Sequence, residues 1–361
     1  MSEGDITSMT ITQTDTQLVI VVGVDTHQQT HHAAILDMAG VKITDREFPA
    51  TAAGHQEMLD WAGEQGLIDR FGVESTGSYG AGLTSVLLLA GVDVVEVNRP
   101  DKTVRSRDGK SDPIDAEAAA RAVLSGRATA KPKVTTGKIE SMRVLLVARN
   151  SAVKARTAAI SQLRDIITTA PAELHDMLIA LTGKKRIARA AALRPDMTRL
   201  SDPTQAAKLA LRNLARRIQA LTEEADDAEK ILANLVADTV PTLLQAPQIG
   251  TLTAAQLAVT AGQNLERFRN EAAFAKLTGA APLPASSGKS RRMRLNRGGD
   301  RQANHALYMI AIGRLINDPE TRAYAARRET KEFSRRDVIR CLKRAIARET
   351  YNALKQDLFS T

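Results

Sequence analysis

The spacing of hydrophobic and polar residues changes along the chain and divides it into zones. Between residues 18 and 127, short apolar runs alternate with amphipathic stretches, beginning with the buried-strand pattern LVIVVGVDT at 18–26. The pattern predicts the order β-β-β-α-β-α-β-α, which opens as a meander and continues through crossovers. We therefore expect an α/β domain with a mixed sheet flanked by helices.

Residues 138–240 show the period of long helices. Two arrangements would bury their apolar stripe: an antiparallel hairpin with a helix at 139–169, or dimerisation between chains. The sequence leaves both open. The stripe follows the alternating spacing of three and four that is typical of a coiled-coil seam, in Leu211, Leu214, Ile218, Leu221, Ala225, Ala228, Leu232 and Leu235.

The last zone, residues 241–361, is predicted to be mainly α-helical and is basic. From Ala281 to the C-terminus there are 18 Lys and Arg against 8 Asp and Glu, so the net charge of +9 is concentrated there. Neutralisation of phosphates dominates the affinity of proteins for nucleic acids, and this zone therefore indicates a nucleic-acid partner. Residues 1–17 are polar and are expected to form a disordered leader.

Composition excludes several classes of protein. The single cysteine, Cys341, excludes a disulfide framework and a Cys-rich zinc site, and it suits a reducing cytosol. No apolar run is long enough to predict a membrane span. The GKS at 288–290 is not a P-loop, because Leu283 occupies the position of the first glycine. No G-x-G-x-x-G follows the first strand, which argues against a dinucleotide-binding domain.

Four carboxylates lie where predicted strands end or a predicted helix begins. Asp25 follows the first strand, Glu74 follows a later one, and Asp112 and Asp115 belong to KSDPIDAEAAARA. Pro113 suits the first turn of a helix, which predicts Asp112 as the N-cap with Asp115 on the same face. One such acid is often only a cap or turn former, but several at one sheet edge would repel one another. A divalent cation, Mg²⁺ or Mn²⁺, would relieve this repulsion.

Three basic residues lie just upstream of the acidic helix. They are expected to contact the phosphates of a nucleic-acid backbone, and they are Arg105, Arg107 and Lys110.

Four longer segments together resemble a known family. GVDTH, VESTGSYG, VNRPDKTVRSRDGKSDPIDAEAAARA and LTGAAPLPASSGKSRRMRLNRGGDRQANHAL occur in this order over nearly the whole chain. They are similar to the insertion-sequence transposases of the IS110 group, whose relatives include DNA invertases of the Piv type.

This resemblance implies a domain organisation and an activity. Residues 18–137 would form a RuvC-like, RNase H-fold domain, with the four carboxylates as its Mg²⁺-binding DEDD set. Residues 138–240 would be a coiled-coil dimerisation region, and 241–361 a transposase domain with a catalytic serine. Members of the group recombine double-stranded donor and target DNA with a structured bridge RNA that pairs with both. They act as homodimers or homotetramers, with sites built from two protomers.

Ser287 best matches the serine of the family pattern, which is a proline, a short spacer and Ser-Gly. Ser286 is the close alternative, and Ser290 fits less well. No His lies beside Ser287, which argues against a Ser-His-Asp hydrolase, whereas guanidinium groups suit a phosphodiester. The neighbouring residues expected to bind DNA are Lys289, Arg291, Arg292, Arg294 and Arg297.

Three other functions stay open at this level. A RuvC-like endonuclease would cut DNA without covalent serine chemistry. A non-catalytic nucleic-acid-binding protein would not need Asp25. An actin-like or sugar-kinase ATPase would need a glycine-rich phosphate loop after the first strand, where this chain has THQQTHH.

Overall fold

The chain folds as two compact units. The computed structural model describes residues 17–98, 111–285, 293–329 and 333–359. The first unit ends at Thr135 and the second begins at Thr136. The first is a mixed α/β unit, and the described part of the second is helical apart from one short strand pair.

A five-stranded mixed sheet forms the centre of the first unit, in the order β3-β2-β1-β4-β5. β1, β2 and β3 are antiparallel neighbours, whereas β4 and β5 run parallel to β1. The predicted order of elements, a meander followed by crossovers, is confirmed. The strands are β1 (Val19–Thr26), β2 (Thr30–Asp37), β3 (Lys42–Pro49), β4 (Leu67–Glu74) and β5 (Val94–Val97).

Helices cover both faces of this sheet. On one face, α1 (Ala52–Gln65) and α2 (Ala81–Leu89) pack against side chains that include Val22 and Val24. On the other face, α3 (Asp112–Leu124) packs against Val21 and its neighbours. The alternation of side chains along β1 therefore decides which residues meet α3.

Two glycines allow α3 to approach the sheet closely. Gly23 of β1 and Gly72 of β4 are register partners. A Cβ added at Gly23 would lie 2.1 Å from the carbonyl oxygen of Ala116 and 2.2 Å from the amide nitrogen of Ala120. A residue with a side chain would push the helix away, so these glycines set the distance between α3 and the ends of β1 and β4.

The second unit consists mainly of helices. Two of the described helices are longer than the rest, with 33 residues in Gly137–Thr169 and 37 in Pro203–Thr239. Within the described residues, no helix is both long and apolar enough to cross a membrane. The helices are α4 (Gly137–Thr169), α5 (Ala172–Ile179), α6 (Gly183–Ala191), α7 (Pro203–Thr239), α8 (Pro241–Gln245), α9 (Thr251–Ala261), α10 (Glu271–Leu277), α11 (Arg301–Asn317), α12 (Pro319–Glu329) and α13 (Arg335–Phe359), with a 3-10 turn at Leu265–Arg267.

The long helices α4 and α7 form an antiparallel hairpin within one chain. Lys138 at the start of α4 pairs with Asp238 at the end of α7, and Arg149 lies 3.3 Å from Glu229. At the other end of the hairpin, the core contains residues of α4, α5, α6 and α7. The antiparallel hairpin, one of the two expected arrangements, is thus present within the chain.

The buried stripe of α7 differs in part from the predicted seam. Leu214, Leu221 and Leu235 are only half-buried, whereas Ala215 and Val236 are fully buried. α7 contacts α6 and α9 as well as α4. Several neighbours bury a wider stripe than the narrow seam of a two-stranded coiled coil.

The C-terminal helices share a core with one end of the hairpin. This core combines Ile139 and Met142 of α4 and Leu232 of α7 with residues of α9, α11 and α13. Position 240, the predicted boundary of a third domain, therefore lies inside one compact unit. Asp357 of α13 also accepts hydrogen bonds from the backbone N–H groups of Thr242 and Leu243, at 3.0 and 3.1 Å.

Candidate active site

Two acids lie at the carboxyl ends of adjacent parallel strands. Asp25 and Glu74 directly follow Val24 and Val73, the last register pair of β1 and β4. Side chains alternate along a strand, so both acids point to the same face as Gly23 and Gly72, which is the face covered by α3. Both are buried, with 6% and 2% of their surface exposed.

The first turn of α3 brings two more acids to this face. Asp112 is half-buried and Asp115 is buried. The predicted N-cap is wrong by one residue: Ser111 is the N-cap, with extended backbone, and Asp112 is the first helical residue. The Ser111 carbonyl accepts hydrogen bonds from the N–H groups of Ile114 and Asp115. The helical hydrogen bonds therefore start at Ser111, one residue before the predicted cap. The positive end of the helix dipole stabilises carboxylates here.

His27 joins two of these carboxylates. Its Nε2 lies 3.1 Å from Oδ2 of Asp25 and 3.3 Å from Oδ1 of Asp112. Asp25, His27 and Asp112 offer ligand atoms that all lie within 4.8 Å of one another, close enough to share one metal ion. The sequence interpretation missed His27. Its signal was the spacing of two residues from Asp25 in GVDTH, which favours one common side of an extended chain.

The electrostatics of Asp25 reflect both burial and acidic neighbours. Burial has the largest effect and raises the pKa of the Asp25 carboxyl, and the nearby Asp115 and Asp112 raise it further. His27 opposes this shift and lowers the pKa. A divalent cation would act in the same direction as His27, because it stabilises the ionised carboxylate.

The four predicted acids are thus brought to one face, but not into one cluster. Asp25 and Asp112 belong to the group that could share a metal, together with His27. Asp115 is close enough to perturb Asp25, and Glu74 is buried at the end of the neighbouring strand. Neither belongs to the group of ligand atoms within 4.8 Å.

The predicted nucleic-acid-binding residues are only partly described. Arg105, Arg107, Lys110, Ser286, Ser287, Lys289, Arg291 and Arg292 lie outside the described residues. Arg294 belongs to β7 (Met293–Arg294), which pairs with β6 (Leu283–Pro284) on the other side of the serine segment. Arg297 lines a cavity of about 280 Å³ together with Asn296 and Arg301.

Carboxylates gathered at the ends of parallel strands, in reach of one divalent cation, are typical of metal-dependent enzymes that act on phosphate esters. Residues 22–170 match the family model for DEDD transposases of the IS110 type, and residues 240–326 match the model described as "Transposase IS116/IS110/IS902 family". The two matches together cover well over half of the chain. The chain belongs to the IS110 family of insertion-sequence transposases and is a DNA transposase.

Individual relatives agree with the family models. A protein of the IS117 mini-circle from Streptomyces coelicolor, which carries the name of a transposase, is 23% identical over 86% of this chain and 88% of its own length. The uncharacterized 43.6 kDa protein of insertion element IS110 from the same organism is 25% identical over the same shares. The uncharacterized 42 kDa protein of IS900 from Mycobacterium paratuberculosis is 26% identical over 42% of this chain and 37% of its own length.

Proposed function

We propose that this transposase cleaves and exchanges DNA strands with the help of a divalent metal at the acidic face and of Ser287 as nucleophile. The observation that carries the proposal is the meeting of Asp25 and Asp112 around His27, with Asp115 and Glu74 buried on the same face. The strand order β3-β2-β1-β4-β5, with an antiparallel meander followed by parallel strands, supports an RNase H-like, RuvC-like domain.

We infer Mg²⁺ as the metal, with Mn²⁺ as a substitute. The carboxylates of Asp25, Asp112, Asp115 and Glu74 are the hard oxygen ligands that both ions take. The imidazole of His27 adds a nitrogen ligand, which suits Mn²⁺ better than Mg²⁺. When bound, such an ion stabilises the negative charge that develops on the oxygens of the reacting phosphate.

The covalent step would join the serine to DNA. The Ser287 oxygen attacks the phosphorus and loses its proton, so that an O–P bond to serine forms while the bond from phosphorus to one strand oxygen breaks. That strand oxygen takes up a proton and leaves as a hydroxyl. Attack by a hydroxyl of the other DNA then releases the serine and completes the exchange. Arg294 and Arg297 would stabilise the phosphate, because guanidinium groups match its geometry.

A structured guide RNA and a second protomer complete the proposal. The concentration of positive charge after Ala281 supports binding to nucleic acid. Pairing between the RNA and both DNAs would carry the sequence specificity, as in other RNA-guided systems. The active assembly would be a homodimer or homotetramer.

The test is a strand-exchange assay with donor and target plasmids, scored for recombinant junctions and for protein–DNA adducts that survive denaturation. Asp25→Asn should reduce both by about a hundredfold or more, because a ligand of the metal is lost. Ser287→Ala should abolish both, whereas Ser286→Ala should retain them. Asp69→Asn, an acid on β4 that pairs with Arg70 at 2.6 Å, is the control for charge loss outside the site.

The outcome also separates this proposal from a plain RuvC-like endonuclease. An endonuclease would still cut DNA after Ser287→Ala and would form no adduct in the unaltered protein. Normal recombination by Ser287→Ala would overturn the assignment of the serine. The RNA is tested separately by sequencing what co-purifies with the active protein from its native host, and an active preparation free of a structured RNA would rule out guidance.

A further inference from the structure

A second charged site lies in the helical unit, in a groove between α12 and α13. The groove has a volume of about 530 Å³ and is lined on one side by the β7 strand. Of the described residues that line it, six are charged, and five of these are cations: Arg294, Arg328, Arg340, Lys343 and Arg344, with Asp337 as the acid. Such a surplus of cations favours an anionic ligand.

Only some of these cations are matched by carboxylates. Arg340 pairs with Asp337 at 2.6 Å, and Arg344 pairs with Glu271 at 2.6 Å. Among the residues that the structure describes, no carboxylate oxygen lies within 4.0 Å of Lys343. Its Nζ instead donates a hydrogen bond of 2.7 Å to Oδ1 of Asn304. The other end of that amide donates to the carbonyl of Thr278 at 2.8 Å, which fixes its orientation.

Lys343 is therefore held in place at an electrostatic cost. Burial has the largest effect and lowers the pKa of the Lys343 ammonium, and the neighbouring Arg340 lowers it further. A half-buried ammonium next to a second cation is destabilising unless an anion compensates it. Among the described residues, Lys343 donates its hydrogen bond to a neutral amide oxygen, so a bound anion would offset this cost.

The groove also presents aromatic rings in a form that suits a flat ligand. The guanidinium of Arg328 lies 5.5 Å from the ring centre of Tyr324 and 5.1 Å from that of Phe333. Phe333 is nevertheless 38% exposed and lines the groove. Stacked rings and guanidinium planes are the platforms on which proteins hold unpaired bases.

The geometry points to a binding site for one unpaired nucleotide of a single strand, with its base stacked at Phe333 and Tyr324 and its phosphate at Lys343. This inference rests on the proposed function, since it takes a nucleic-acid strand as the ligand. It adds a site in the second unit for a base that is not in a duplex. Base stacking and a phosphate contact together explain why rings and an uncompensated lysine share one groove. The rings alone would accept many flat ligands, and the lysine alone many anions.

The test measures the binding of the full-length protein to short single-stranded DNA and RNA of the same sequence by fluorescence anisotropy. Phe333→Leu should weaken binding by about tenfold, the usual effect of losing one stacked base. Lys343→Met should weaken it as well and should lower the slope of log affinity against log salt by about one. The DNA and RNA arms show which strand the groove prefers.

Two matched controls keep folding apart from binding. Tyr308→Ala removes an aromatic side chain of α11 that is 42% exposed and does not line the groove. Lys355→Met removes an exposed lysine from α13, the same helix that carries Lys343. Both controls should bind as the unaltered protein does, and all four variants should show its circular dichroism spectrum.

The base itself is tested with a strand that carries 2-aminopurine at one position and with an abasic strand of equal charge. Binding should quench the 2-aminopurine fluorescence, and Phe333→Leu should remove the quenching. Equal affinity for the abasic strand, or unchanged 2-aminopurine fluorescence when the strand binds, would overturn the inference. If the unaltered protein binds no nucleic acid at all, the proposed function fails too. If it binds and recombines while the groove variants behave normally, only this inference fails.

Discussion

Each of the two units gathers charges of one sign, and the two clusters are built differently. In the first unit, Asp25 and Asp115 are buried carboxylates where α3 packs closely against the sheet. In the second unit, Lys343 and Arg328 extend on long side chains from helices into an open groove. Short acids on rigid elements can converge on a small cation, whereas long cations around aromatic rings suit a larger anion.

The two clusters also differ in the partners that the protein provides for their charges. His27 lies between Asp25 and Asp112, and it lowers the pKa of Asp25. Among the described residues, Lys343 has only the neutral side chain of Asn304 as a hydrogen-bond partner. In both places the described residues leave a charge imbalance that a ligand of opposite sign would relieve, and this lowers the stability of the ligand-free protein.

The largest expected effect tests whether the acidic face depends on the close packing of α3 against β1. Gly23→Ala would place a methyl group against the backbone of α3, and it should lower the free energy of unfolding by about 3 kcal/mol. Gly63→Ala is the matched control, because nothing lies within 4 Å of a Cβ there and the residue is exposed in α1. It should raise stability by about 0.5–1 kcal/mol. Chemical denaturation measures both, and a Gly23→Ala protein as stable as the control would show that α3 shifts without cost.

The next effect concerns a buried pair of neutral histidines in the same unit. His31 and His55 stack with ring centres 5.2 Å apart, and among the described residues neither Nε2 has a hydrogen-bond partner. Burial and the neighbouring His55 lower the pKa of His31 to about 4, and burial also lowers the pKa of His55. The unfolded chain therefore takes up protons first as the pH falls.

The stabilising contribution of His31 should accordingly be complete above about pH 7 and should decline between pH 6.5 and 4, by about 3 kcal/mol in total. His31→Phe, which keeps a stacked ring, should flatten this part of the curve. Denaturant titrations across this pH range measure the effect. A profile of the same slope in the variant would assign the acid sensitivity to other groups.

A smaller effect compares the acidic face with and without metal. Burial and acidic neighbours raise the pKa of Asp25, so its charge destabilises the metal-free protein near neutral pH. Without metal, Asp25→Asn should therefore raise Tm, and it should increase the free energy of unfolding by about 1 kcal/mol. Added Mg²⁺ or Mn²⁺ should stabilise the unaltered protein more than the variant. A thermal shift assay with and without metal measures both, and an equal metal response would contradict a role of Asp25 as ligand.

The smallest effect is expected at the groove. Lys343→Met keeps the aliphatic stem and removes the half-buried charge, and it should raise stability by at most about 1 kcal/mol. Lys355→Met on the exposed face of α13 should change stability by less. The same thermal shift assay compares them. A clear loss of stability in Lys343→Met would mean that the bond to Asn304 outweighs the cost of burying the ammonium.

Part of this architecture could be predicted from local pattern. The meander, the crossovers and the acidic strand ends follow from alternation and from turn residues near Asp25 and Glu74. His27 was missed because its role depends on how the chain turns after β1 toward Asp112, 85 positions later in the sequence. The N-cap was misplaced by one residue, since Ser111 and Asp112 are both good caps and only backbone geometry distinguishes them.

The sequence by itself determined the alternation of strands and helices in the first unit, the long helical period of α4 and α7, and the concentration of positive charge near the C-terminus. These are properties of short windows, in which side-chain periodicity and charge act locally. Only the tertiary structure decided that α7 pairs with α4 of its own chain, that Gly23 and Gly72 let α3 pack closely, and that Lys343 lines one groove with Tyr324 and Phe333. Those outcomes depend on distances between residues far apart in the chain, which packing sets and periodicity does not record.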